Sequence, residues 1–154
     1  MRNPDEMFMQ LALRQAALAA DDGDAPVGAV IVRGADVIGR AHNQVELLKD
    51  PTAHAEMIAI TQAAAAVGDW RLTDTTLYVT KEPCPMCGGA IVLARIPRVV
   101  FGARDPQTPF VAAGVEVTPG VLGGECAEIL RDFFRRLRQE DREASGQQTA
   151  ENNR

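Results

Sequence analysis

Residues 76–87 read TLYVTKEPCPMC, and this stretch decides how the chain is organised. It opens with a short run of strand-favouring residues, 76–80, and continues into prolines and two cysteines. A proline suits the first position of a helix, so residues 83–94 are predicted to form a helix directly behind a strand. Cys84 and Cys87 then lie in the first turn of that helix.

Outward from this segment, helical and strand-like runs alternate along the chain, which predicts helices packed on a sheet. No repeat or linker divides them, so residues 1–142 are predicted to be one domain. The polar end, 143–154, contains no large apolar residue and is predicted to be a disordered tail. Trp70 and Tyr78 are expected to be core or strand aromatics. The predicted helices are 4–22, 52–67 (with Thr52 as N-cap), 83–94 and 122–142, and the predicted strands are 27–32, 37–41, 76–80, 99–103 and 115–118.

Composition excludes several classes of protein. The 154 residues suffice to bury a core without disulfides, and 46% hydrophobic with 24% charged residues is globular composition. No run approaches the ~20 apolar residues of a membrane span, and the first residues lack the layout of a signal peptide, so we expect a cytoplasmic protein with no membrane partner. The net charge of −5 argues against non-specific coating of nucleic acid, which requires a basic excess.

Cys84 and Cys87 belong to a set of residues that suits zinc. In a reducing compartment, two cysteines at this spacing indicate metal or redox chemistry rather than a disulfide. Catalytic zinc takes three protein ligands and keeps a fourth position for water. His54, in the first turn of another predicted helix, supplies the third ligand. Two helix N-termini then converge on one metal, and each favours the thiolate form of a cysteine.

Glu56 follows His54 by two positions, close enough to contact a zinc-bound water without being a ligand. Zinc lowers the pKa of bound water to about 7, and a neighbouring carboxylate can accept the proton that is released. Zinc-bound hydroxide is therefore the predicted nucleophile, and Glu56 is the predicted proton shuttle.

Other interpretations of the cysteine pair stay open at this point. A thioredoxin-like dithiol also follows a strand and opens a helix, but it would leave His54 and Glu56 unexplained. A purely structural zinc needs a fourth ligand, for which the spare candidates are His42 and Cys126. Cys126 falls on the apolar stripe of the last predicted helix and is expected in the core. His42 is expected at a pocket wall or on the surface.

The last predicted helix carries arginines and two adjacent phenylalanines. Its arginines, at 131, 135, 136, 138 and 142, alternate with acidic residues, which favours a solvated face over an RNA-binding one. Phe133 and Phe134 cannot lie equally deep on one helix. One of the two is therefore expected to be exposed enough to stack on a base.

The ordered set His54-Ala55-Glu56 and Pro83-Cys84-Pro85-Met86-Cys87 is similar to the signature of zinc-dependent nucleobase deaminases. More widely, the chain resembles the family of bacterial tRNA adenosine deaminases, which convert adenosine to inosine at the wobble position (34) of an arginine tRNA. The segments that carry this resemblance are 25–30, 50–56, 76–87, 95–105 and 125–136.

The resemblance implies a cytidine deaminase-like, three-layer α/β fold with a mixed five-stranded sheet flanked by helices. It also implies one Zn²⁺ per subunit and a homodimer that acts on a tRNA anticodon stem-loop. Carried over residue by residue, His54, Cys84 and Cys87 bind the metal and Glu56 is catalytic. The implied substrate contacts are Pro26, Val27 and Asn43 at the nucleoside pocket, the backbone of Ala55 at the base, Asp105 at the ribose region, and Phe134 with nearby arginines at the flanking RNA.

One segment departs from the family. After Asp105 the family has a longer loop rich in glycine, alanine and serine, whereas this chain has only residues 106–114, about a dozen fewer; loops carry specificity more often than the chemistry beneath them. A deaminase of a free base or nucleoside such as guanine, cytosine or cytidine is therefore the alternative function on the same zinc site. A non-catalytic subunit that binds zinc and RNA is less favoured, because such subunits tend to lose the proton shuttle and Glu56 is present.

Overall fold

The computed structural model describes residues 3–152, which build three layers around one mixed sheet. The sheet has the order β2-β1-β3-β4-β5, with β1 antiparallel to both β2 and β3, and with β3, β4 and β5 parallel. This confirms the expected mixed five-stranded sheet flanked by helices. The helices are α1 (Pro4–Asp21), α2 (Val45–Leu48), α3 (Ala55–Val67), α4 (Pro85–Leu93) and α5 (Gly123–Asn152), and the strands are β1 (Gly28–Arg33), β2 (Asp36–His42), β3 (Thr75–Lys81), β4 (Arg98–Ala103) and β5 (Glu116–Thr118).

The sheet is buried on both faces. Successive side chains of a strand point to opposite faces, so in β1 Ala29 and Ile31 join the cluster under α3 and α4, and Val30 and Val32 join the cluster under α1 and α5. Strands with helices on both faces read as continuous apolar runs rather than as alternating ones. This is why short apolar runs located the strands in the sequence.

Two glycines let helices approach the sheet at backbone distance. A Cβ on Gly28 of β1 would lie 1.9 Å from the carbonyl oxygen of Ala12 in α1. A Cβ on Gly102 of β4 would lie 2.3 Å from Sγ of Cys126 in α5. Cys126 is fully buried in this contact, which confirms its expected place in the core.

The helix that carries His54 begins later than the sequence indicated. Thr52 was the expected N-cap, but its amide N–H and hydroxyl both donate to the carboxylate of Asp50, at 2.8 and 2.7 Å, within the preceding turn. The N-cap of α3 is His54 instead, and Gly68 ends the helix in a left-handed conformation. His54 is therefore the residue at which the chain turns into the helix.

The last helix is longer and more exposed than predicted. Residues 143–152 continue α5 where a disordered tail was expected, and they lie in solvent; positions 153 and 154 fall outside the described residues. Among the described residues of α5, 123–152, only Cys126 is buried, whereas Phe134 and Leu137 are 42% and 41% exposed. The apolar stripe thus reaches the core only near the start of the helix.

The two predicted core aromatics differ. Tyr78 is buried in β3 and donates its hydroxyl to Asp5 at 2.8 Å, and burial together with this bond raises the pKa of Tyr78 to about 12. Arg98 hydrogen-bonds the same carboxylate and lowers the pKa of Asp5. Trp70 is 55% exposed, with the guanidinium of Arg71 4.5 Å from its ring centroid, so the expectation was wrong for Trp70.

No helix within the described residues 3–152 is long and apolar enough to span a membrane.

The close approach at Gly28 is testable. We expect Gly28→Ala to lower the free energy of unfolding by about 3 kcal/mol, because the added methyl group meets the backbone of α1, which cannot move aside. Gly124→Ala in α5 is the matched control: its Cβ meets no atom within 4 Å, and stability is expected to stay level or rise slightly. Urea unfolding measures both. Equal stabilities of the two variants would contradict the packing described.

Candidate functional site

Three ligand-type atoms meet where α3 and α4 begin. His54 is the N-cap of α3, Cys84 is the N-cap of α4, and Cys87 lies in the first turn of α4. Nδ1 of His54 is 3.6 Å from Sγ of Cys84 and 3.5 Å from Sγ of Cys87, and the three ligand atoms all lie within 4.8 Å of one another. The group could hold one metal ion.

The sheet explains why two helix N-termini meet there. Both helices pack on the same face of the sheet and contribute to one core cluster, and α4 follows directly from the carboxyl end of β3. The imidazole of His54 makes no capping bond to its own helix; it lies beside the sulfurs of Cys84 and Cys87 instead. The Sγ of Cys84 accepts from the amide N–H of Cys87 at 3.5 Å, which fixes the relation between the two cysteines.

Burial dominates the electrostatics of the site. It raises the pKa of the Cys87 thiol, and the nearby carboxylate of Glu56 and the sulfur of Cys84 raise it further. The sequence predicted that the helix N-terminus favours the thiolate, whereas the pKa of Cys87 is raised by its surroundings. A bound cation reverses this balance, because a thiol that coordinates a metal is deprotonated.

Glu56 lies in the first turn of α3, beside the metal group but outside it. Its side chain is 3% exposed. Burial raises the pKa of the Glu56 carboxyl above its usual value, and a bond to its own backbone N–H and the charge of His54 offset only part of that rise. The carboxyl group is thus held in a low-dielectric position next to the metal group.

A cavity of about 100 Å³ opens onto the metal group and Glu56. Asn43 is 8% exposed and forms part of its wall. The amide N–H of Asn43 donates to the carbonyl of Val27 at 3.1 Å, and Oδ1 of Asn43 accepts from the amide N–H of Ala55 at 2.8 Å. Asn43 therefore ties the loop before β1 to the helix that carries Glu56. The residues that line the cavity are Ala25, Val27, Asn43, His54, Glu56, Lys81, Glu82, Cys84, Leu130 and Phe134.

Of the ten residues predicted for the site, six line this cavity: Val27, Asn43, His54, Glu56, Cys84 and Phe134. Cys87 belongs to the metal group without lining the cavity, and Pro26, Ala55 and Asp105 do not line it either. Pro26 is buried and directly precedes Val27 in the sequence. Ala55 is fully buried, and its amide N–H donates to Oδ1 of Asn43. Asp105 lies at the rim, where its Oδ2 is 3.6 Å from Nζ of Lys81 in the cavity wall. Contacts of these three residues with a substrate stay predictions.

The spare candidates for a fourth ligand lie apart from the group. His42 Nδ1 is 3.2 Å from the side-chain oxygen of Gln15, and His42 Nε2 is 3.6 Å from the carboxylate of Asp22. Cys126 is in the core under α5. Within the described residues, the metal group is thus a set of three, as an open catalytic site requires.

Lys81 and Glu82 both line the cavity and were not predicted from the sequence. The available signal was their position: Lys81 ends β3 and Glu82 follows it, with only Pro83 before Cys84, at the carboxyl edge of the parallel part of the sheet, where α/β proteins place ligands.

A second groove, of about 320 Å³, adjoins the cavity and shares Leu130 and Phe134 with it. Its remaining lining residues are Arg131, Arg135 and Arg138 of α5. Arg135 forms an ion pair with Asp132 at 3.4 Å, which fits the solvated face expected from the sequence. The half-exposed ring of Phe134 nevertheless lines both the cavity and the groove. The positively charged side of α5 is therefore adjacent to the cavity.

A family model and a known relative each match most of this chain. The family model described as MafB19-like deaminase matches residues 3–138. A tRNA-specific adenosine deaminase of Bacillus subtilis is 45% identical over 152 aligned residues that cover 91% of this chain and 94% of the relative. The alignment is about a dozen positions longer than the part of this chain that it covers, so this chain has about that many fewer residues than the relative within it.

Solved structures agree with this. One from a study of A-to-I editing by tRNA:A34 deaminases at the wobble position of transfer RNA has a TM-score of 0.76 and 41% identity, covering 80% of this chain and 99% of that chain. A guanine deaminase of Bacillus subtilis has a TM-score of 0.63 and 41% identity, covering 68% of this chain and 66% of that chain. The expected family resemblance and fold are thereby confirmed.

The metal group generates a prediction about stability. A metal that binds only the folded protein stabilises it, so chelation is expected to lower the Tm of the metal-loaded protein by several degrees. His54→Ala should abolish this shift, because it removes a ligand. His42→Ala is the matched control and should keep the shift, since that histidine lies outside the group. Calorimetry with and without chelator measures the difference; a shift that persists in His54→Ala would contradict the assignment.

Proposed function

Since this chain belongs to the MafB19-like deaminase family, we propose that it is a zinc-dependent tRNA adenosine deaminase, a hydrolase that converts adenosine to inosine at wobble position 34 of an arginine tRNA. The observation that carries the proposal is the placing of Glu56 beside a three-ligand metal group inside a cavity. The relatives that support the substrate are named for adenosine in tRNA.

The donor set and its spacing fit zinc. Two thiolates and one imidazole are typical zinc ligands, with Zn–S of about 2.3 Å and Zn–N of about 2.0–2.1 Å. At tetrahedral angles these bond lengths require sulfur and nitrogen to lie about 3.6 Å apart. The observed separations from Nδ1 of His54 are 3.6 Å to Cys84 and 3.5 Å to Cys87. We therefore assign one Zn²⁺ per subunit to His54, Cys84 and Cys87.

Bound zinc would supply a nucleophilic water at neutral pH. The chain itself supplies the proton transfers. Glu56 accepts a proton from the attacking water and delivers it to N1 of adenosine, which makes C6 more electrophilic. It then passes the second proton to the exocyclic N6 as the C6–N6 bond breaks. Water and adenosine give inosine and ammonia, and Glu56 returns to its starting state.

Recognition of the nucleoside is assigned to the cavity wall. Asn43 uses its Oδ1 on Ala55, so its Nδ2 is the atom that can face a base. Val27 lines the cavity next to Asn43, and Pro26 directly precedes it in the chain. We assign the backbone of Ala55 to the base and Asp105 at the rim to the ribose. A base flipped out of an anticodon loop enters such a cavity at little unstacking cost.

The groove on α5 is the proposed RNA-binding surface. Phe134 is exposed and lines both the cavity and the groove, so a base next to the target can stack on its ring. Arg131 and Arg138 place positive charge along the proposed path of the RNA backbone, although the net charge of the protein is −5. The partner that fits this arrangement is the anticodon stem-loop.

A homodimer and a cytoplasmic location complete the proposal. Residues along the length of α4 and the facing loop, 109–113, line an open groove of about 580 Å³, and most of its lining side chains are apolar. Leu93 and Val111 are 70% and 87% exposed there. Exposed apolar side chains in one patch favour an interface, and we assign this one to a second copy of the chain. The cytoplasmic location follows from a tRNA substrate.

Deamination of a free base is the second candidate. The similarity to a guanine deaminase and the small cavity both favour it, whereas the arginine-lined groove has no use with so small a substrate.

The proposal is tested by inosine formation. Zinc-loaded protein is incubated with an arginine tRNA anticodon stem-loop and, in parallel, with free adenosine, guanine, cytosine and cytidine. We expect turnover of the stem-loop alone. Glu56→Ala should keep one zinc per chain and lose activity by about 10²-fold or more, because a general acid–base group contributes that much.

The outcomes separate substrate from mechanism. Turnover of a free base or nucleoside alone would keep the mechanism and replace the substrate. Full turnover by Glu56→Ala would remove the assigned role of Glu56, and loss of zinc from that variant would make Glu56 a ligand.

A further inference from the structure

Glu82 is a buried carboxylate at the rim of the cavity with no role in the chemistry described above. It is 7% exposed and lies between the end of β3 and Cys84. Oε1 of Glu82 accepts from the amide N–H of Asp105 at 2.8 Å, and Oε2 accepts from the amide N–H of Phe110 at 2.5 Å. One carboxylate thus binds two points of the loop that follows β4.

The segment between these two points, residues 105–110, is organised around carboxylates. The Asp105 side chain accepts from the amide N–H of Gln107 at 3.0 Å and from the hydroxyl of Thr108 at 3.0 Å. Its Oδ2 also lies 3.6 Å from Nζ of Lys81. The loop therefore presents Asp105 to the cavity rim in one fixed orientation.

The other end of the segment contacts the metal-binding helix. The ring of Phe110 packs against Gly88 of α4, where a Cβ would lie 3.3 Å from the ring. Gly88 directly follows Cys87 in the sequence. The loop thus extends from the cavity rim to the helix that carries two metal ligands, and Glu82 binds it at both ends.

We propose that Glu82 is a positioning residue: it holds residues 105–110 so that Asp105 and Lys81 form a fixed rim for the substrate. The inference rests on the proposed function for the identity of that substrate. A short loop needs such a support, because residues 106–114 contain no helix or strand to hold them.

Glu82→Gln tests this with little change in size. A carboxylate accepts two N–H groups, one on each oxygen, but the amide nitrogen of glutamine donates and cannot accept. One of the two backbone N–H groups, Asp105 or Phe110, loses its partner in this variant. Glu82→Asp keeps both acceptors and withdraws them by one methylene group, so its effect is expected to be intermediate.

Hydrogen–deuterium exchange of the zinc-loaded protein measures the tether without any substrate. We expect Glu82→Gln to accelerate exchange at least tenfold at whichever of the two amides, Asp105 or Phe110, loses its acceptor, while exchange in β3 and the zinc content stay as in the wild type. Asp69→Asn is the matched control. Its carboxylate likewise accepts a backbone N–H, that of Arg71 at 3.0 Å, but in the turn after the far end of α3.

Kinetics with the stem-loop measure the positioning. Glu82→Gln is expected to raise KM about tenfold and to change kcat by less than about twofold, because the rim contacts substrate and the zinc group is unaltered. Glu82→Asp should recover part of the loss in KM. A purely structural role would instead lower Tm and zinc content and reduce kcat.

Two results would overturn the inference: unchanged exchange at both amides in Glu82→Gln, or accelerated exchange with unchanged KM. If Glu82→Gln does not fold, Glu82→Asp carries the same two measurements. A wild-type protein inactive on the stem-loop would refute the proposed function; KM for whichever base or nucleoside it turns over would then test the rim.

Discussion

The meeting of two helix N-termini above one edge of the sheet is the constraint on which the rest of the structure depends. Three ligand atoms from two helices must lie within a few ångströms of one another. This holds only if α3 and α4 pack at fixed depth on the same face, through a core cluster built largely of alanines, valines and isoleucines. Helices cannot shift independently in a core packed at crystal-like density, so the packing preorganises the metal group.

The same packing sets the chemistry. Glu56 is buried because α3 packs on the sheet, and this burial raises the pKa of its carboxyl group. The same packing places Glu56 beside the metal group. Asn43 then fixes the start of α3 through one side-chain bond. The end of β3, the residue after it and α5 contribute Lys81, Glu82, Leu130 and Phe134 to the remaining wall. In the proposed function, the fold and the metal group define the reaction type, and the rim and the groove define the substrate.

The strands and the ligand set could be predicted from sequence because their signals are local. A strand buried on both faces is a continuous apolar run, and the spacing of Cys84 and Cys87 is one at which two cysteines can bind a single metal ion. Other features depend on which of several possible partners a side chain binds in the folded protein. Threonine is a common N-cap residue, but the amide N–H and hydroxyl of Thr52 donate to Asp50 instead.

Long-range features had no such signal. Trp70 is large and apolar, yet it stacks on an arginine at the surface. Glu82 looks like a polar residue at a strand end, and its two partners lie 23 and 28 positions away. The short helix α2 (Val45–Leu48) was also missed, because four residues show no periodicity. The helix over 143–152 lacks an apolar stripe, so no pattern in the sequence distinguished it from a tail.

X-ray absorption of the zinc-loaded protein tests the central claim most directly. The account predicts two sulfur ligands at about 2.3 Å and one imidazole nitrogen at about 2.0–2.1 Å, with one further light atom from solvent completing four-coordination. A first shell with three or four sulfurs, two imidazoles, or only oxygen ligands would contradict it.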